Sequence, residues 1–98
     1  MPNLPSLRRR IDRLDEQLLR LLNQRAALAL AIGRIKHRRK WPVFDAAREA
    51  SVLKHVVHAN RGPLSPRAVE HAFQAILCEC RRRERRSAKR RRQSPVSK

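Results

Sequence analysis

Apolar residues recur early in the chain at alternating steps of four and three: Leu7, Ile11, Leu14, Leu18 and Leu21, then Leu28, Ile32 and Ile35. This spacing puts all of them on one face of an α-helix. With no proline and only Gly33 as a glycine between Leu7 and Lys40, the stretch predicts a single helix about 50 Å long at about 1.5 Å per residue. Arg25 stands midway along the stripe, where the period calls for another hydrophobe. A compact monomer of this size has a radius of gyration of about 13 Å, so the stripe is longer than the chain can cover by itself. The simplest cover is a second copy of the same chain.

Two shorter helices are expected to follow. Ser6 is the expected N-cap of the first helix, and Trp41-Pro42 ends it, because the residue before proline avoids the helical region. Asp45 is placed to cap a second helix from about Ala46 to Asn60, with Ala46, Ala50, Leu53, Val56 and Val57 as its apolar positions. Arg61-Gly62-Pro63 stops it. Ser65-Pro66 then starts a third helix, with an N-cap followed by proline at the first helical position. Val69, Phe73, Ile76 and Cys80 form its expected inner face, with Glu84 one turn beyond. From Ser87 the chain is Lys, Arg, Ser, Pro and Gln with one Val and one Ala, a composition expected to be disordered. The expected organisation is one all-α, three-helix domain over residues 6–86 in an intertwined homodimeric bundle, followed by a basic tail over 87–98.

Charge sharpens this picture. The chain has 98 residues and a net charge of +17, from 25 Lys and Arg against 8 Asp and Glu. Residues 81–98 carry ten bases and one acid, while residues 1–80 carry fifteen and seven. The C-terminal end is therefore far more basic than the rest of the chain. Arg8, Arg9 and Arg10 oppose the helix dipole at the N-terminal end, and Asp12, Asp15 and Glu16 lie within i,i+3 and i,i+4 reach to offset them. Cys78 and Cys80, two apart on a helix, point about 200° apart and cannot bridge each other. A reducing, cytoplasmic setting is expected. The N-terminus has no apolar signal core and no run approaches a membrane span of about 20 residues, so a soluble, non-exported protein without membrane partners is expected.

Candidate chemistry centres on Arg25 and Lys36. Eleven residues apart, they lie about 20° apart around a helix and about 16 Å along it, with Leu28, Ala29 and Ile32 between them. Both therefore face one apolar crevice. A guanidinium in an apolar stripe is costly unless it is paired, usually with a carboxylate from protein or ligand. Lys36 taken alone reads first as a solvated cation suited to a helix C-terminus. Arg8 lies about 25 Å from Arg25 along the same helix, so the two meet one small anion only if they come from different chains. Arg48 and Glu49 in the first turn of the second helix, taken singly, read as surface charges. His55 and His58, three apart, lack a further ligand nearby in sequence, and no metal site is expected.

Together, Leu7-Arg8, Ile11-Asp12, Leu14-Asp15, Leu18-Leu19, Leu21-Leu22, Arg25, Ile32-Gly33, Lys36, Pro42-Val43, Asp45 and Arg48-Glu49 resemble the all-helical class of chorismate mutases. The resemblance covers residues 7 to 84. It implies an intertwined dimer whose two active sites draw on both chains, and the concerted rearrangement of chorismate to prephenate in Phe and Tyr biosynthesis, without cofactor, metal or nucleophile. Catalysis would consist of holding a flexible dianion in its compact reactive conformer and placing cations where negative charge grows on the ether oxygen. By the same resemblance, Arg25 and Arg8 of the other chain would hold the carboxylates, and Lys36 would contact the ether oxygen and a carboxylate. Arg48 would support the cationic cluster. Glu49 and the backbone near Asp45 would take the ring hydroxyl, while Cys80 and Glu84 would complete the site from the third helix. Many family members have Ser and Gln at those last two positions. Cys is the weaker donor, and Glu donates only when protonated.

Other readings compete. An isochorismate pyruvate lyase shares this fold, but that branch lacks the acid corresponding to Glu49. A nucleic-acid-binding helical module would explain the charge. However, Trp41, Phe44 and Phe73 are too few aromatics for a stacking platform. Nonspecific polyanion binding by the tail, and activation by a partner enzyme of the aromatic pathway, are compatible with the mutase reading.

Overall fold

The computed structural model describes residues 3–93. Three α-helices follow one another: α1 (Leu4–Arg38), α2 (Ala46–Ala59) and α3 (Pro66–Gln93).

The first helix begins earlier than expected. Asn3, not Ser6, is the N-cap, its Oδ1 accepting from Ser6 N at 2.9 Å. Pro5 is tolerated because the first turn has no intrahelical acceptor for its missing N–H. At the other end the helix stops at Arg38, two residues short of the expected Lys40. Lys40 takes the left-handed conformation at φ 58°, Trp41 N donates to Lys36 O at 2.8 Å, and Lys40 N donates to His37 O at 3.2 Å. This is a Schellman-type stop with lysine where glycine is usual.

The other starts match the sequence reading. Asp45 Oδ1 accepts from Arg48 N at 3.0 Å, and Ser65 Oγ accepts from Ala68 N at 3.1 Å. Between α2 and α3, Asn60 shapes the turn by donating to Leu64 O at 2.7 Å and accepting from Gly62 N at 3.2 Å.

Packing runs through α3, which lies against both α1 and α2. Contacts pairing Arg25 with Cys80 and Lys36 with Glu84 show that α1 and α3 run parallel. The small core consists of Val52, Val69 and Leu77. Val52 and Leu77 were not among the expected core positions, whereas Ala46 and Ala50, which were, are exposed. The face of α2 that meets α3 is chosen by how the two helices pack, which periodicity along one helix does not encode.

The stripe on α1 remains uncovered. No α1 residue is buried, and Leu28 is 68% exposed, Leu21 60% and Leu14 56%. The radius of gyration is 17.6 Å with extents of 65 × 29 × 14 Å, against about 13 Å for a compact chain of this length. An exposed apolar stripe of this length, broken at Arg25, is more than an isolated chain usually leaves bare.

The basic end departs from expectation. Disorder was expected from Ser87, but α3 continues to Gln93. Lys, Arg, Ala and Gln are good helix formers, no Gly or Pro intervenes before Pro95, and cations suit a helix C-terminus. Glu84 is buried and Ser87, Ala88 and Arg91 are half-buried, so one face of the extension is still covered. Residues 94–98 of the expected tail lie outside the described residues. Among the described residues no helix is long and apolar enough to cross a membrane.

Candidate active site

A cleft of about 500 Å³ opens where the C-terminal half of α1, the α1–α2 connection, the start of α2 and the middle of α3 converge. Its lining includes Arg25, Lys36, Asp45, Arg48, Glu49, Cys80 and Glu84, seven of the eight residues singled out from sequence. The eighth, Arg8, is exposed near the far end of α1 and is not part of this lining. Leu28, Ala29, Ile32, Val52 and Leu77 supply the apolar wall.

Each charged group has a local reason for its place. Arg25, half-buried on the stripe, donates from Nη1 to Cys80 Sγ at 3.4 Å. A thiol is a weak acceptor, so most of the guanidinium's donor capacity is left for an anion in the cleft. Lys36 Nζ donates to Val43 O at 2.7 Å and to Glu84 Oε2 at 3.4 Å. The first bond ties the α1–α2 connection to α1, and the second ties α3 to α1. Arg48 Nη1 donates to Ser51 Oγ at 3.5 Å along its own helix. The Asp45 side chain is committed to capping α2 through Arg48 N.

Among the described residues Glu84 is the most enclosed charged group, only 8% exposed. Burial raises its pKa above the ordinary carboxylate value and the nearby Glu49 adds to the rise, while the Lys36 charge and hydrogen bond and the Arg85 charge pull the other way. Burial prevails. The rise favours the protonated form relative to an ordinary glutamate, and only that form has an O–H to donate.

Arg81 also lines the cleft and was missed in the sequence, where it sits inside a run of arginines. Its only distinguishing signal is its place one residue after Cys80. Arg81 Nε donates to Glu49 Oε2 at 2.6 Å, both side chains being largely withdrawn from water. Trp41 and Val43 were likewise not singled out as lining residues, because the connection that brings them there has no period to read. Cys78 and Cys80 are free thiols. His55 and His58 lie apart, with Lys54 and Glu70 in an open groove between α2 and α3, and among the described residues no cluster of three or more metal-ligating side chains forms.

The arrangement gathers cations and carboxylates around an apolar wall, which suits the binding and compaction of a small polyanion. Three helices enclosing such a cleft match solved all-helical mutases. The fold superposes on a chorismate mutase (Form II) from Thermus thermophilus with a TM-score of 0.82 at 30% identity, covering 84% of this chain and 93% of that one. Residues 7–85 match the family model described as chorismate mutase type II. The chain thus belongs to the chorismate mutase type II family. It is 43% identical over 82 residues to the bifunctional chorismate mutase/prephenate dehydratase of Pseudomonas aeruginosa, and 37% identical over 84 residues to the protein of the same description from Aquifex aeolicus. These matches cover 79% and 82% of this chain but 22% and 23% of the relatives, so the chain spans about a quarter of their length.

Proposed function

We propose that this chain rearranges chorismate to prephenate in the cytoplasmic biosynthesis of aromatic amino acids, as a homodimer with two shared active sites. The observation that carries the reading is the convergence of Arg25, Lys36, Arg48, Glu49, Cys80 and Glu84, drawn from three helices, on one cleft. Breaking the ether C–O bond while a C–C bond forms requires no nucleophile. The protein's task is to hold the dianion compact and to stabilise charge on the ether oxygen. Arg25 holds one carboxylate, Arg8 of a second copy holds the other, and Lys36 faces the ether oxygen and a carboxylate. Arg48 adds positive charge to the cluster. Glu49 accepts from the ring hydroxyl, the backbone near Asp45 also holds that hydroxyl, and Cys80 and a protonated Glu84 complete the site.

The exposed stripe on α1 supports the dimer. Pairing α1 with a second α1 buries the stripe, and if the two run antiparallel, each Arg8 is carried toward the other chain's cleft. The presence of Glu49 favours the mutase over an isochorismate pyruvate lyase. The bifunctional relatives join a chorismate mutase to a prephenate dehydratase, which is in keeping with an enzyme of the aromatic pathway as the activating partner of this chain.

The test is to follow loss of chorismate and formation of prephenate by the purified protein, with isochorismate assayed in parallel. Prephenate formation above the uncatalysed rate is expected. Pyruvate release from isochorismate without mutase activity would replace this reading by the lyase.

A second binding surface is favoured by a specific observation: on the helical end of α3, Arg82, Arg83, Arg85, Arg86, Lys89 and Arg90 are all exposed. Cations repeated at i,i+4 repel one another on a bare helix, and a phosphate backbone relieves that repulsion without any demand on sequence.

A further inference from the structure

Glu49 does not stand free in the cleft. Arg81 lies about 100° further round α3 than Cys80 and reaches the first turn of α2, where its Nε donates to Glu49 Oε2 at 2.6 Å. The Arg81 guanidinium also lies over the Phe44 ring, 5.2 Å from its centroid. Phe44 belongs to the connection that Lys36 anchors through the adjacent Val43 carbonyl. One arginine on α3 is therefore fixed by contacts from α2 and from the α1–α2 connection, beside the cleft that all of them line.

We propose that Arg81 is a positioning and specificity-determining residue, pinning Glu49 Oε2 so that the other carboxylate oxygen is presented to the ring hydroxyl of the bound substrate. This inference rests on the mutase reading and deepens it. A glutamate in the first turn of a helix has three rotatable torsions, and a carboxylate facing a dianion is repelled by it. Arg81 removes both difficulties: the short charge-assisted bond fixes the rotamer, and the guanidinium offsets the Glu49 charge next to the substrate's own. Phe44 gives the guanidinium a further hold through a cation–π contact. Recognition of the hydroxyl then depends on a residue that never touches it.

The test is a double-mutant cycle on the full chain. Arg81→Gln lowers kcat/KM for chorismate by about tenfold, the scale of a charge-assisted hydrogen bond. In a Glu49→Gln background the same change costs less than about twofold, because its effect runs through Glu49. Arg81→Lys, which keeps the charge and loses the planar fork, recovers only part of the loss. Equal losses in both backgrounds, or no loss in the parent, would overturn the proposal. A readout that needs no turnover is the Arg81 Nε–H proton in NMR of the unliganded protein. It is expected to be shifted downfield and slow to exchange, and to lose both features on Glu49→Gln. An exposed, fast-exchanging Nε–H unchanged by Glu49→Gln would also overturn it. A parent that turns over no chorismate sinks the mutase reading instead, and the Arg81–Glu49 bond is then judged on the NMR signature alone.

Discussion

Glu84 packs directly on Gly33: a Cβ added at Gly33 would stand 3.1 Å from Glu84 Cγ and 3.4 Å from its Oε2. The missing side chain on α1 is what lets α3 approach closely enough for Glu84 to be both buried and within 3.4 Å of Lys36 Nζ. Gly33→Ala therefore sets two effects against each other. Alanine gains about 1 kcal/mol of helix propensity, and its Cβ crowds a side chain held by Lys36. The expected outcome is a thermal midpoint within a few degrees of the parent and a clear fall in kcat. Unchanged kinetics would show that Glu84 moves aside at no cost to the site.

The raised pKa of Glu84 gives a signed pH dependence. On the mutase reading the protonated carboxyl donates to the ether oxygen, so kcat/KM is highest on the acidic side and falls as pH rises through the raised pKa. Glu84→Gln, a donor at any ordinary pH, should flatten that decline, and Glu84→Ala should be weak throughout. Stability follows the same sign. With the folded value above the unfolded one, the contribution of this group is fully present below the unfolded pKa and is lost as pH rises through the folded pKa. Glu84→Gln should therefore gain stability relative to the parent toward neutral pH, as read by denaturant midpoints. A profile that Glu84→Gln leaves unaltered returns Glu84 to a structural role.

A site shared between two chains, as proposed, predicts complementation. Arg8→Ala and Arg25→Ala chains, each inactive alone, should regain partial activity when mixed, since some mixed dimers carry one intact site. With subunit exchange verified by a tagged chain, absence of any recovery would leave Arg8 outside the site. Sedimentation of the parent checks the dimer itself.

The basic end of α3 predicts separable functions. Removing residues 87–98 should leave mutase kinetics near those of the parent while weakening salt-sensitive binding to duplex DNA. The log–log salt slope should become shallower by about 0.9 for every phosphate no longer neutralised. Because Ser87 and Ala88 are half-buried, the truncated chain is first checked for an unaltered thermal midpoint. Impaired catalysis in a folded dimer would mean that the covered face of the extension supports the cleft.

Local pattern alone determined much of this protein. The four-and-three spacing from Leu7 to Ile35, the Asp45 and Ser65 caps and Trp41-Pro42 mark out three helices, because periodicity and capping are properties of neighbouring residues. Arg25 and Lys36 were legible for the same reason: an eleven-residue interval puts two cations over one crevice. The resemblance added Asp45, Arg48, Glu49, Cys80 and Glu84, which the fold brings to the same cleft, and Arg8, which it does not. Tertiary structure decided what no spacing encodes. The packing of the helices made Val52 and Leu77 core and left Ala46 and Ala50 in solvent. The approach of α3 over Gly33 buried Glu84 and turned the competition between desolvation and Lys36 in favour of a raised pKa. The same approach singled out Arg81 from the arginines around it, because it alone of that run meets Glu49 within the cleft. Arginines in one run are chemically identical in sequence, and only the neighbour each one meets gives it a role.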